Sequence, residues 1–316
     1  PSPRYAVSVR EIQLPRRTLL FATAGLAAVA LAGCAAPPDR ELDVEALPTF
    51  GPDRDPDPTP EVDATPPIEP EPDPPAAPAA PVLPDVEAVI AAHEGRAPQL
   101  WGIDIPGVVR TGADAGSADA GRVFLTLDAC GGPHGSAFDE RLIAGLQASA
   151  VPATLFLNLR WIEANPGLAA MLAADPLFEL GNHGSDHLPL SVTGRHAYGI
   201  PGTASVRDAA MEVWRNHLAL TELTGSRPRW FRPGTAHLDD VGLGIALALG
   251  ERVLGFSVNG DGGATFPAAT VASEVGAAAP GSVVIAHMNQ PASGTADGVL
   301  AAVAAVRSRG LDFGLL

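Results

Sequence analysis

Seven short apolar runs, most of them separated by helix-patterned segments, constrain this chain more than any other feature. Residues 123–127, 153–157, 177–180, 229–231, 253–258, 283–286 and 311–315 have the length and flanking turn residues of strands. Helical patterns fall at 138–149, 166–174, 205–224, 238–249, 268–278 and 295–309. Asn165-Pro166 opens one of them with a capping residue and a proline at the first helical position. Gly225, Gly250 and Gly310 follow three others, where a left-handed cap is needed. Strands that alternate with helices pair in parallel, because each return crosses the sheet through a helix. The region from about 86 to 316 is therefore expected to be one α/β domain, an incomplete (β/α) barrel or a doubly wound sheet.

The chain ahead of that region has no means of building a core. From 35 to about 84 it is mostly Pro, Asp, Glu and Ala, with fourteen acidic and two basic side chains between 35 and 90. Such a segment buries too little apolar surface to offset its ordering entropy and is expected to be a disordered or polyproline tether. At about 3.1 Å per residue its path is on the order of 100–150 Å. Before it, Arg16-Arg17 leads into an uncharged apolar run at 19–31, short for a membrane span and suited to a secretion leader. Leu31-Ala32-Gly33-Cys34 resembles a bacterial lipobox, and the twin Arg resembles a Tat export signal. These resemblances imply a signal peptide over 1–33, lipidation of Cys34 and attachment of the 34–84 tether to a lipid bilayer. The expected product is an extracytoplasmic, membrane-anchored bacterial lipoprotein exported by the Tat route.

All twenty basic residues are Arg. Without Lys there is no Schiff-base chemistry, phosphate-loop lysine or Ser-Lys dyad. Residues 91–316 hold twenty-one acidic against fourteen basic side chains, which offers no electrostatic footprint for nucleic acid. With Cys34 lipidated, Cys130 has no partner for a disulfide.

Polar residues of catalytic type collect at the expected strand ends. Asp128 follows the first run, His183 the third, Arg232 the fourth, Asp261 the fifth and His287 the sixth. In a parallel barrel these ends share one face, where the chemistry is built. His183 and His187 stand four residues apart in His183-Gly184-Ser185-Asp186-His187, a spacing that lets two imidazoles reach one metal ion.

In order and spacing these segments resemble the NodB-homology polysaccharide deacetylases, carbohydrate esterase family four. They are Thr126-Leu127-Asp128-Ala129, the run from His183 to His187, Phe231-Arg232-Pro233-Gly234-Thr235, Asn259-Gly260-Asp261 and Val283-Val284-Ile285-Ala286-His287. The resemblance implies a distorted (β/α)7 barrel over 122–316, with 85–121 as an N-terminal extension packed on it. It implies a hydrolase of non-peptide C–N bonds that removes acyl groups from an envelope glycan or peptidoglycan, using one divalent metal ion, with zinc expected. By the same resemblance Asp128 is the general base, His183 and His187 are metal ligands, Arg232 orients Asp128, and His287 is the general acid. A backbone N–H near Thr235 completes an oxyanion site.

Three motifs depart from the family pattern. Ala129 takes the place of an Asp that is a family metal ligand, which leaves the third ligand open among Asp128, Cys130 as thiolate, His134 and Asp186. On an extended strand end Cys130 lies on the same side as Asp128; its alternative is a small buried hydrophobe. Gly234-Thr235-Ala236 leaves more room than the usual aromatic. Asp261, ahead of Asn259, is the expected acid that tunes Arg232. His217 is expected on the surface or in packing, and His93, His196 and His237 at loops or helix starts. Trp101 and Trp230 are expected in the core or at a rim, with a capacity to stack on sugars. A metal-independent hydrolase of another amide bond and a noncatalytic glycan-binding relative are the alternative functions.

Overall fold

The structure, a computed structural model, describes residues 81–119 and 121–316. The expected leader, Cys34 and the tether up to residue 80 lie outside the described residues. In chain order the elements are α1 (Val86–His93), β1 (Trp101–Gly102), α2 (Gly112–Ala115), β2 (Phe124–Ala129), α3 (Glu140–Ala148) and β3 (Ala153–Leu157). Next come α4 (Leu159–Ala164), α5 (Pro166–Ala174), β4 (Phe178–Asn182), α6 (Val206–Thr224), β5 (Trp230–Phe231) and a 3-10 turn at Gly234–Ala236. The last are β6 (Leu238–Asp239), α7 (Asp240–Ala248), β7 (Arg252–Val253), β8 (Val258–Asn259), α8 (Ala268–Gly276), β9 (Val283–His287) and α9 (Thr295–Ser308).

Seven strands form one parallel sheet in the order β7-β5-β4-β3-β2-β9-β8. This is the curled (β/α)7 arrangement, reached by a different route from the seven expected runs. The run expected at 253–258 is two short strands. Its first part pairs with β5 through the N–H of Leu254, and Ser257 donates instead to Val283, the first residue of β9. Both edges of the sheet thus belong to one stretch of chain, 252–259, which brings them around toward each other. The run at 311–315 forms no strand. β2 is already paired on both sides by β3 and β9, so Phe313 makes just an isolated bridge to Val123, one residue before β2 begins.

β2 shows how side-chain alternation builds the interior. Leu125, Leu127 and Ala129 join an apolar cluster with Leu142 and Leu146 of α3, Val275 of α8 and Val299 of α9. Phe124, on the other face, packs with Phe156, Trp230, Leu254 and Val283 inside the barrel. Thr126 and Asp128 share the face of Phe124, so strand periodicity alone carries two polar groups inward. Ala129 points toward the helices and is fully buried there, where a methyl group is at home.

The segment before β2 covers the opposite flank. Val89 and Ile90 of α1 pack with Val206, Ala209, Val213 and Val241 of α6 and α7, and β1 pairs antiparallel with β6. That pairing explains why the helix expected from 238 starts at Asp240. Leu238 and Asp239 are taken by β1, and the Asp239 carboxylate then accepts the Gly242 N–H at 2.7 Å as the helix cap.

Candidate metal and acid–base site

His183 follows β4 directly, and Asp128 on β2 is the register partner of His287, the last residue of β9. Cys130, His183 and His187 each offer one donor atom, all within 4.8 Å of one another. Cys130 Sγ is 3.8 Å from His183 Nε2. With Zn–S about 2.3 Å and Zn–N about 2.1 Å, two ligands of a tetrahedral zinc ion stand about 3.6 Å apart, so this donor set fits such an ion. His183 Nδ1 donates to the carbonyl of Arg232 at 2.8 Å, which turns Nε2 toward the cluster. Burial alone would raise the Cys130 thiol, but His187, His183 and His287 around it bring it well below its ordinary value. A ligand sulfur has to be deprotonated.

The turn between the two imidazoles is built around a buried carboxylate. Glu212, on the inner face of α6, accepts the N–H groups of Asp186 at 3.0 Å and Leu188 at 3.1 Å. Burial pushes its carboxyl up to about 7, against the pull of those N–H groups. Gly184 lies at φ 75°, and a Cβ there would run into that carboxylate. Asn158 Nδ2 donates to the carbonyls of His183 at 2.9 Å and Gly184 at 2.8 Å, while Asn182 Oδ1 accepts the Gly184 N–H at 2.9 Å. His187 itself is held at φ 59°, a costly conformation for a residue with a side chain. Gly234 passes so close to the His187 carbonyl that no Cβ fits, which accounts for glycine at this point of the third motif.

Asp128 and His287 are prepared in opposite senses. Arg232 Nη1 donates to Asp128 Oδ1 at 2.6 Å and to Thr126 Oγ1 at 2.8 Å, and its ring-facing side lies 4.2 Å from the Phe156 centroid. Burial raises the Asp128 carboxyl, yet the charges of Arg232, His183 and His287 outweigh it and hold the group below its ordinary value. His287 Nδ1 donates to Asp261 Oδ1 at 3.0 Å, the His287 N–H to Asp261 Oδ2 at 2.8 Å, and Thr295 Oγ1 to the same oxygen at 2.9 Å. Burial would lower the His287 imidazole, but the Asp261 carboxylate holds it well above its ordinary value. A cavity of about 370 Å³ opens on Asp128, Cys130, His187 and His287 and is walled by Tyr198, Thr235 and Phe256. Thr235 Oγ1 is buried with no hydrogen-bond partner among the described residues, on a backbone at φ 64°.

Several expectations are corrected. Asp261 serves His287, not Arg232, and Asn259 accepts the Gly262 N–H at 2.9 Å and shapes a turn. The donors of Arg232 that a second acid would need are spent on the carbonyls of Leu254 and Gly255, each at 3.0 Å, where the 252–259 strand breaks. Asp186 turns outward into an ion pair with Arg215, and His134 is exposed, so neither joins the cluster. His217 is fully buried and pairs with Glu251 at 2.7 Å, and His93 is buried in the last turn of α1 with its Nδ1 on the Val89 carbonyl. Glu212, Asn158, Asn182 and Glu251 were absent from the residues read as functional. The signal for Glu212 lay in α6, where Glu212 and Asn216 interrupt the stripe of Ala209, Val213 and Leu220. A carboxylate in an apolar stripe needs buried partners.

A family model described as polysaccharide deacetylase matches residues 115–254, a stretch that holds Asp128, Cys130, His183, His187 and Arg232 and stops short of Asp261 and His287. Across 140 of its 316 residues the chain is thus similar to the polysaccharide deacetylase family, a similarity with which the fold agrees. Among solved structures it is similar to a family-four carbohydrate esterase pseudoenzyme from Bacillus anthracis, with 22% identity, TM-score 0.52, and 62% of this chain and 64% of that one covered. It is similar to the Bc1960 peptidoglycan N-acetylglucosamine deacetylase, with 22% identity, TM-score 0.52, and 63% and 87% covered. A family-four carbohydrate esterase from Streptomyces lividans in complex with acetate gives 23% identity, TM-score 0.52, and 62% and 94% covered. The chain spans less than two thirds of the pseudoenzyme's length. No curated protein matches it.

Proposed function

We propose that this protein is a metal-dependent amide hydrolase that removes N-acetyl groups from an envelope polysaccharide or peptidoglycan, held at the membrane by a lipid on Cys34. The observation that carries the reading is the placement of Asp128, whose carboxyl is held below its ordinary value, across from His287, whose imidazole is held well above its own, on paired strands beside the Cys130, His183 and His187 cluster.

Cys130, His183 and His187 would hold a divalent ion, with zinc the best match to sulfur and imidazole donors, and that ion would supply Lewis acidity to the acyl carbonyl. Asp128 takes the proton of the attacking water, and Arg232 keeps it ionised for that task. His287 hands its Nε2 proton to the departing amine, with Asp261 stabilising the charged ring before transfer. The backbone near Thr235, which lines the cavity, would offer an N–H to the acyl oxygen. The expected leader and tether place the domain outside the cytoplasm, within reach of wall glycans.

The test is acetate release by the zinc-loaded protein from acetylated chitooligosaccharides and peptidoglycan. Asp128→Asn and His287→Ala should each lower kcat by about 10²–10⁴-fold. Absence of acetate from every glycan, with His287→Ala indistinguishable from the parent, overturns the reading.

A second reading rests on Cys130 lying beside the His287–Asp261 pair. Its thiolate would attack the acyl carbon without metal, His287 would protonate the amine, and water would hydrolyse the thioester. Activity that persists under strict chelation and is abolished by thiol alkylation favours it.

A further inference from the structure

The cavity over Asp128 and His287 has a built rim on one side. The chain from 189 to 203 folds back on itself: Thr203 donates its N–H to the Pro189 carbonyl at 3.1 Å, and Gly194 donates to the Thr203 carbonyl at 3.0 Å. The Ser191 N–H adds a bond to Thr203 Oγ1 at 2.8 Å. Inside this loop Ala197 and Ile200 exchange both backbone hydrogen bonds, at 3.1 and 2.9 Å, so Tyr198-Gly199 is the tip of a two-residue hairpin. Both tip residues have positive φ, 52° and 78°, the pattern of a type I′ turn, whose first position favours Asn, Asp or Gly. Tyrosine there works against its backbone preference. It gains little burial in return, since Tyr198 is 82% exposed while lining the cavity.

Two more aromatic rings from separate segments stand behind it. The His237 ring meets Tyr198 edge-on at 5.2 Å, and the Trp101 centroid lies 5.9 Å from His237. Arg195 lies 5.0 Å over the Trp101 ring. Trp101 is held by the pairing of β1 with β6, directly after the 3-10 turn that carries Thr235 and Ala236 into the cavity. At about 370 Å³ the cavity has room for one sugar ring, at the low end of the ~300–1,000 Å³ of small-molecule sites. The next ring of a polymer has to lie on the rim.

Resting on the deacetylase reading, we infer that Tyr198, His237 and Trp101 form a subsite for a pyranose ring of the same glycan, next to the sugar that loses its acyl group. The C–H face of a pyranose packs on an aromatic face, and Tyr Oη and the imidazole remain available to its hydroxyls. The subsite contributes binding that is equal in ground and transition states, so it lowers KM for polymers and leaves kcat alone.

The experiment measures binding by calorimetry in a His287→Gln background, with chitopentaose and with N-acetylglucosamine, alongside turnover in the otherwise native chain. Tyr198→Ala should weaken chitopentaose binding about tenfold and raise its KM equally, a larger loss than the same variant shows with N-acetylglucosamine. Tyr198→Phe should keep most of the affinity. Tyr198→Asn should raise Tm, because Asn suits the turn, and still lose the affinity, which separates ligand contact from loop integrity. Equal chitopentaose affinity in the parent and Tyr198→Ala, or no chitopentaose binding at all, overturns the subsite. Tyrosine-dependent binding with no acetate released by the native chain upholds the subsite and overturns the deacetylase reading.

Discussion

On one side of the barrel, β2 pairs with β3 and with β9 over five residues each, and β3 pairs with β4 over five more. On the other side β5, β7 and β8 are two residues long, and a single residue pair joins β4 to β5. The first side is held by a backbone ladder and apolar packing. The second is held by side chains: Arg232 occupies the carbonyls of the broken 252–259 strand, Glu212 the amides of the His183–His187 loop, and Asn182 donates to Glu251 at 3.0 Å. Buried backbone groups must find partners somewhere. Where the ladder stops, polar side chains replace it, and the candidate site lies along that seam.

The largest test of this contrast compares Arg232→Met with Leu155→Ala. Removing Arg232 leaves Asp128 as a buried unpaired charge and strips two carbonyls of their donors, a loss of about 3–5 kcal/mol. Leu155, fully buried on β3, should cost about 2–5 kcal/mol through a cavity. Urea denaturation reads both. Zinc titration separates them, because only the Arg232 variant should also lose the cluster geometry and all turnover. A loss under about 1 kcal/mol for Arg232→Met would remove side-chain bonding as the support of that half.

A smaller effect is expected at the loop. Glu212→Ala frees the amides between the two imidazoles, and zinc affinity by chelator competition should fall about 10–100-fold, while Leu155→Ala leaves it unchanged. Equal affinities in the two variants would show that the loop keeps its shape without the carboxylate.

The smallest effect is in the pH dependence. Burial pushes the carboxyls of Glu251 and Glu212 up to about 7 from an ordinary 4.5. In the folded protein each therefore takes up a proton between those values, so the stability it contributes is full below about pH 4.5 and is lost as pH rises through about 7. The unfolding free energy of chelated protein, read by urea denaturation, should fall from pH 5 to pH 8 by on the order of 1 kcal/mol per carboxyl. Glu251→Gln should remove part of that fall. A flat profile in the parent chain would mean that both carboxyls stay ionised through folding.

The regular side was legible because its information is local. Ala153–Leu157 and Pro166–Ala174 have the bounds expected of them, since one is a bounded apolar run and the other begins at Asn-Pro. The irregular side was legible only in its residues. Arg232 and Asp128 could be placed at strand ends of one face by counting runs, and across that face they meet at 2.6 Å. The partner of Asp261 could not, because two residues after β8 the chain has turned, and the turn sends the carboxylate to His287. Nor could the break between β7 and β8 be seen in a run of apolar letters.

By itself the sequence determined the alternation of strands and helices, and with it a parallel sheet whose polar ends share one face. It also determined the inventory at those ends, including the lack of a carboxylate at Ala129 and the presence of a thiol at Cys130. Tertiary structure alone decided how that inventory is wired: Cys130 with the two imidazoles, Asp261 with His287, and Glu212 under the ligand loop. The reason is physical. Periodicity is set by the backbone within a few residues, whereas hydrogen-bond partners are set by which distant segments burial forces together, and no local pattern encodes that choice.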